Sequence, residues 1–460
     1  MYGGALLLAV VVGAVVAYSE RFGGDNGPYL LLGVLLAIAV AVAILLQWRL
    51  GALLLAAALP FEPMLKFGGV ASGMKGLGLL TFISLALALL TDQKLFDRFT
   101  KLWRQPLALA VLAFVLWLSA SILWAADKGV ALDASISFLG LLGLMIVIGL
   151  LERRYLLLVW AGLAFSAALS VPAGYLLPVP EGTEMATSGR FGPGGAGPNT
   201  YALIVAIAFF AAYFGLLRRH RMIAYLLAPV FVYGIFATGS RTGLTALVVT
   251  PLLAMFVPRL AARLGWRIIP MYVLGAAVTV VIVLTIPSVA EIALGRYTTL
   301  SQIESAETWS GRSGTWRAAL DVFASHPILG VGAGNFSEAA TGYSESVKGV
   351  ASQLKLIQQT DIAGVAHNTV LGVMSQLGLV GLILYLGILL FTFKAAVPIA
   401  QESGLGTGIF LGLIVAMIAG MTLTWENEKI VYVLLGSVLA LQLHNSARRA
   451  PSLDKHEGFY

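Results

Sequence analysis

The sequence predicts an all-α polytopic integral membrane protein of roughly 12 to 14 transmembrane helices, with one large outer loop containing short helices. Three observations carry that prediction. Hydrophobic residues make up 59% of the 460 and charged residues 11%, with a mean hydropathy of +0.91, beyond what a water-soluble domain of this length shows. Apolar runs of bilayer length recur along the chain. One long interruption, residues 289–366, lacks such a run.

The runs lie at 3–18, 29–47, 76–91, 106–124, 132–151, 155–176, 201–217, 222–239, 243–257, 268–287, 368–393, 407–424 and 430–445. A shorter one at 50–60, followed by Pro63, is either a further crossing or a broken helix dipping into the protein. The first run lacks a basic leader and a small-residue cleavage site, so it is expected to be a retained helix. Four parts follow: transmembrane helices with short loops over 1–288, the large loop over 289–366, C-terminal helices over 367–445 and a loosely held tail over 446–460. Cysteine is absent, which excludes a disulfide brace and thiolate chemistry and leaves the redox compartment undecided.

Orientation follows from lysine and arginine bias. With a cytoplasmic N-terminus and the short run counted as a crossing, 17 of the 29 cations fall on one side, including Arg49, Arg98, Arg153, Arg154, Arg218 and Arg259. That side is read as cytoplasmic, and its clusters most simply meet anionic membrane lipids. The net charge of +7 owes most of its excess to these anchors and implies no nucleic acid partner. Lys66 and Lys75 are exceptions on the outer side, where a juxtamembrane role suffices.

Four polar motifs interrupt the apolar chain, all on the outer side. They are Gly189-Arg190-Phe191-Gly192 with Gly197-Pro198-Asn199-Thr200-Tyr201, Gly239-Ser240-Arg241-Thr242-Gly243, Gly311-Arg312 with Trp316, and His367-Asn368. A guanidinium at the membrane boundary is costly unless it meets an anion, water or carbonyls, so Arg190 and Arg241 are candidates for anion binding against the simpler reading of snorkelling. Arg241 is the sharper case because its turn between two spans is so short. A short amphipathic helix is expected from about Gly314 to Ala324, stopped by Pro327, with Arg312 at its N-terminal end. Trp316 on it either packs or stacks on a sugar ring.

His367 opens a span, so its ring is expected to face the outer aqueous side, where an imidazole can take a proton. His326 is the weaker candidate. Gly330-Val331-Gly332-Ala333-Gly334 lacks the preceding strand and following lysine of a nucleotide loop. Trp425-Glu426-Asn427-Glu428-Lys429 closes the outer face, where the two carboxylates either balance the arginines or are simply solvated. No metal-ligand pattern such as His-x-x-x-His accompanies them, which predicts a site with no metal and no cofactor.

In these motifs and their order, together with Gly330-Val331-Gly332 and Asn335-Phe336, the chain resembles the O-antigen ligase and O-antigen polymerase superfamily. The resemblance implies a glycosyltransferase that moves a glycan from undecaprenyl pyrophosphate to an acceptor hydroxyl, on the periplasmic side of the bacterial inner membrane. It implies that Arg190, Arg241 and Arg312 meet the pyrophosphate and that His367 is the base, with Asn199, Ser240, Trp316 and Asn368 contacting substrate. The expected partners are the lipid-linked glycan donor, lipid A core or another glycan as acceptor, and membrane lipids. Ligase is the first reading; chain polymerase and protein O-oligosaccharyltransferase remain open. A secondary transporter is the non-enzymatic alternative, but it would place ionisable groups at mid-membrane, where these spans have almost none.

Overall fold

Short polar residues set the helix starts. In the computed structural model Asp92 accepts from the amides of Lys94 and Leu95, Asp127 from Gly129 and Val130, Ser240 from Gly243, Asn368 from Leu371 and Ser403 from Gly406. Each satisfies amides that the first helical turn leaves without an intrahelical acceptor. The structure describes residues 27–65, 72–176, 185–186, 189–216, 221–264, 269–285, 307–344 and 366–449. The first apolar run, Lys66, and the tail beyond residue 449 lie outside them.

The described chain is all-α. In order the helices are α1 (Gly27–Leu46), α2 (Trp48–Ala58), α3 (Gly73–Thr91), α4 (Gln93–Leu102), α5 (Pro106–Ala120), α6 (Lys128–Gly149), α7 (Arg153–Leu176), α8 (Pro198–Phe210), α9 (Arg221–Ala237), α10 (Arg241–Ala254), α11 (Leu260–Leu264), α12 (Ile269–Thr285), α13 (Glu307–Ser325), α14 (Phe336–Ser344), α15 (Thr369–Glu402), α16 (Gly404–Gly420) and α17 (Lys429–Arg449). Among the described residues seven helices are long and apolar enough to cross a membrane, and five shorter apolar helices accompany them. Every expected run except the first falls on a helix. The short run at 50–60 belongs to one of the seven, because a 3₁₀ turn over Leu59–Leu65 accommodates Pro60 and Pro63 and carries the helix on. The last helix continues four residues beyond the expected 445, into the region read as tail.

Helix α8 is the buried axis: Tyr201, Phe209 and Phe210 are all but inaccessible, and it packs on α7, α9, α10 and α16. Helix α17 lies along α6, and its Ser437 accepts from the Trp160 indole of α7 at 3.0 Å. At one end of the bundle Arg49 pairs with Glu152 at 3.1 Å and Arg98 donates to the carbonyl of Leu151 at 2.7 Å. The turns carrying Arg190, Arg241, His367 and Glu426 gather at the other end.

The helix expected over Gly314–Ala324 begins seven residues earlier, at Glu307. Arg312 therefore sits in the second turn of α13 and not at its start; its side chain lies outside the described residues. Gly311 and Gly314 each cost the helix about 1 kcal/mol, less than packing along its length returns. Ala318 and Ala319 of α13 form a small core with Phe336 and Ala340 of α14, Ala366 and Leu371.

The glycine run between α13 and α14 docks on α15. The amides of Val331 and Gly332 donate to the carbonyls of Ser375 and Gln376 at 3.1 and 2.9 Å, and Leu379 donates to Pro327 at 2.8 Å. Helix α15 is interrupted to receive them at Gly378, where φ is +66° and a Cβ would stand 2.1 Å from the carbonyl oxygen of Ile328. Only glycine fits that backbone. Asn335 completes the strap, accepting from the amide of Asp127 at 2.7 Å and donating to its carbonyl at 3.2 Å.

Candidate functional site

Arg190 is only 6% exposed. Its Nε donates to the carbonyl of Thr238 at 3.1 Å and its Nη2 to Oδ1 of Asn199 at 2.9 Å. The next residue, Phe191, donates its amide to Ala237 at 3.3 Å. The 189–192 segment is thereby fastened to the end of α9, and Arg190 and Asn199 form one unit across the start of α8.

That unit braces a tight turn. Thr238 donates its hydroxyl to Ile235 at 2.6 Å and accepts from the amide of Ser240 at 3.0 Å, while Gly239 takes φ +60° to reverse the chain. Ser240 is fully buried and its hydroxyl accepts from the amide of Gly243 at 3.1 Å, so its job in this structure is to cap α10. Arg241, the first residue of α10, is half-buried. Thr242 beside it meets Thr422, hydroxyl to hydroxyl, at 3.0 Å.

Thr422 belongs to the turn between α16 and α17, and the same turn holds the start of α15. Asn368 caps α15 and donates Nδ2 to the carbonyl of Met421 at 3.2 Å. Thr369 donates to the carbonyl of Leu423 at 3.0 Å and accepts from the amide of Trp425 at 2.8 Å. His367, immediately before, is half-buried and has φ +48°, a left-handed backbone rare outside glycine and asparagine. Such strain persists only where surrounding contacts over-determine it, and here the two following residues are both tied to the turn.

Glu426 follows Trp425 on that turn. Burial pushes its carboxyl up to about 7, and Glu428 adds to the rise, against the hydrogen bonds it receives from Thr369 and the backbone. Lys429 forms an ion pair with Glu62, joining the start of α17 to the turn after α2. Trp316 of α13 is half-buried next to the buried Thr315. Among the described residues no three of His, Asp and Glu gather into a group.

Of the residues singled out in the sequence, the structure joins Arg190 to Asn199, and fastens the helix starts beside Arg241 and His367 to the turn at 421–425 through Thr242, Asn368 and Thr369. The motif at Gly330–Asn335 serves the docking of the large loop. Three threonines, Thr238, Thr369 and Thr422, were not legible as parts of the site, and Thr242 was legible only as part of the Arg241 motif. Threonine at a span boundary is common, and its partners here lie up to 180 residues away. Two N-terminal helix ends, α10 and α15, are thus held by one turn, one carrying a guanidinium and one preceded by an imidazole. Exposed amides and the helix dipole favour an anion at both.

Residues 226–386 match the family model described as O-Antigen ligase. The matched span runs from α9 to the middle of α15 and includes Arg241, Arg312 and His367, whereas Arg190 and Asn199 precede it. No curated protein matches the chain.

Proposed function

We propose, for a chain that belongs to the O-antigen ligase superfamily, transfer of a glycan from undecaprenyl pyrophosphate to a hydroxyl of lipid A core on the periplasmic side of the inner membrane. The observation that carries this reading is the shared turn at 421–425, which holds the Arg241 and His367 helix starts at one end of the bundle.

In this reading His367 accepts the proton of the acceptor hydroxyl as its oxygen attacks the anomeric carbon. The bond from that carbon to the pyrophosphate oxygen breaks, its electron pair stays on the pyrophosphate, and the sugar inverts. Charge builds on the leaving group, and Arg241 and Arg312 oppose it. Removing one such donor costs about 2.7 to 4 kcal/mol in a well-studied oxyanion site, and a general base contributes roughly 10² to 10⁴ in rate. Arg190 acts one layer deeper, holding the turn that presents Arg241 and adding its positive field. Trp316, Asn199, Ser240 and Asn368 shape the walls; Ser240 and Asn368 do so as helix caps.

The test is transfer by purified protein in detergent, with undecaprenyl-pyrophosphate glycan as donor, lipid A core as acceptor and chelator throughout. A glycan-core product supports the ligase reading. Longer glycan chains without core product would make the protein a polymerase, and an untouched donor would remove the transferase reading.

A further inference from the structure

Helices α2 and α7 start side by side at the end of the bundle opposite the turns of Arg241 and His367, and both starts run against local helix physics. The first turn of a helix favours acidic side chains, because its unbonded amides make that end positive. Neither first turn holds an acid: Arg49 is the second residue of α2, and Arg153 and Arg154 open α7. Gln47, ahead of α2, caps none of those amides with its side chain.

Among the described residues one carboxylate pairs with these charges. Glu152 accepts from Nη2 of Arg49 at 3.1 Å and from Nε of Arg154 at 3.0 Å. The ring of Tyr155 lies 4.8 Å from the Arg49 guanidinium carbon and 4.6 Å from that of Arg154, which holds both in place. A third guanidinium comes from Arg98 of α4, whose Nη2 donates to the carbonyl of Leu151 at 2.7 Å. Burial lowers its pKa from the ordinary arginine value, with Glu152 opposing the shift and Arg49 adding to it. The Nε atoms of Arg49 and Arg98 are sealed from solvent and find no acceptor among the described residues. Three guanidiniums share one carboxylate, so two positive charges stay uncancelled beside two positive helix ends. Arg49 and Arg154 keep 25% and 70% of their side chains exposed, which leaves the cluster open to a ligand.

Helix α4 supplies the setting. Leu95 and Leu102 anchor it in the core, while Phe96, Phe99 and Trp103 form an aromatic row with successive ring centres 6.4 and 6.0 Å apart, Phe96 being exposed. Its other exposed positions are Gln93, Lys94, Asp97 and Lys101. Aromatic rings beside charged residues on a short amphipathic helix mark the level of lipid headgroups. The lysine and arginine bias concerns every cation on this side, whereas the structure brings three of them together.

We propose that Arg49, Arg98 and Arg154 bind the phosphodiester of an anionic phospholipid, seated between the starts of α2 and α7 and helix α4. Planar guanidinium forks match phosphate oxygens, the two helix ends add their positive charge, and Phe96 lies against the acyl chains.

The purified protein in detergent is titrated with phosphatidylglycerol, phosphatidylcholine and soluble glycerol phosphate; retention is read by native mass spectrometry, with the melting temperature alongside. Wild type should retain phosphatidylglycerol in preference to phosphatidylcholine and melt higher with it. Arg98→Gln should weaken that retention about tenfold, the scale of one lost hydrogen bond to a charged group. Arg154→Gln, at an exposed position where folding is not at stake, should weaken it in the same direction, and Lys101→Gln, exposed on α4, should bind like wild type. Diffuse attraction to every cation would make Lys101→Gln lose as much as the arginine variants and overturn the site. Equal retention of the two phospholipids, or Arg154→Gln binding like wild type, would also overturn it. Glycerol phosphate raising the melting temperature as much as the lipid would overturn the lipid assignment in favour of a soluble phosphate.

Discussion

Thr242 and Thr422 stand 180 residues apart in sequence and place their hydroxyls 3.0 Å apart. This contact joins the helix that begins with Arg241 to the turn on which Asn368 and Thr369 also rest. Replacing either threonine by valine should lower kcat while leaving the protein folded, because the link between the two segments is lost; the cost is larger for Thr422→Val, which leaves the buried Thr242 hydroxyl without this partner at about 1 to 3 kcal/mol. The double variant should cost less than the sum of the two, a coupling that a double-mutant cycle on transfer rates measures.

Arg241→Ala should lower transfer about 10² to 10³-fold, as removal of a donor aimed at developing charge does. Arg241→Lys should recover little, because an ammonium cannot reproduce the planar fork of a guanidinium. Wild-type rates from either variant would take Arg241 out of the reaction.

His367 offers a cleaner separation of backbone from chemistry. At φ +48° asparagine is tolerated and a β-branched residue is not. His367→Asn is expected to melt like wild type and lose roughly 10² to 10⁴ in rate, whereas His367→Val should lose stability as well. Parallel melting and transfer measurements distinguish the two losses.

Glu426 predicts a pH dependence of stability. Its carboxyl titrates near 7 in the folded protein and near the ordinary value of 4.5 in the unfolded chain. Between those values the folded form keeps a proton that the unfolded form has released, so this group's contribution to stability falls as pH rises through the window. Glu426→Gln keeps the neutral shape without the titration. Its melting temperature should match wild type near pH 4.5 and exceed it increasingly toward pH 8; parallel curves across that range would refute the assignment.

Gly378 tests the docking of the large loop. Alanine there would place a Cβ 2.1 Å from the carbonyl oxygen of Ile328 and hold a side chain at φ +66°. Strain of that kind costs about 1 to 3 kcal/mol before the steric clash is counted. Gly378→Ala should therefore free residues 326–335 for protease cleavage in the detergent-solubilised protein; resistance equal to wild type would contradict the strap.

Hydropathy alone determined the membrane class, the position of nearly every apolar helix and the placing of polar motifs in the turns between them, because transfer of a segment into lipid depends on that segment's own composition. It did not show that α13 begins at Glu307, since glycines at 311 and 314 oppose a helix locally and only packing against α14 and α15 outweighs them. Nor did it distinguish Arg190, whose guanidinium reaches Thr238 and Asn199, from an arginine on an open surface. Ser240 read as a candidate for ligand contact and Gly330–Asn335 only as one motif of the family resemblance; the fold uses the first as a cap and the second as a strap. The sequence by itself thus determined which residues stand at the ends of the apolar helices. Only the tertiary structure decided which of them meet, because hydrogen bonds such as Thr242 to Thr422 depend on two distant segments at once and leave no trace in either alone.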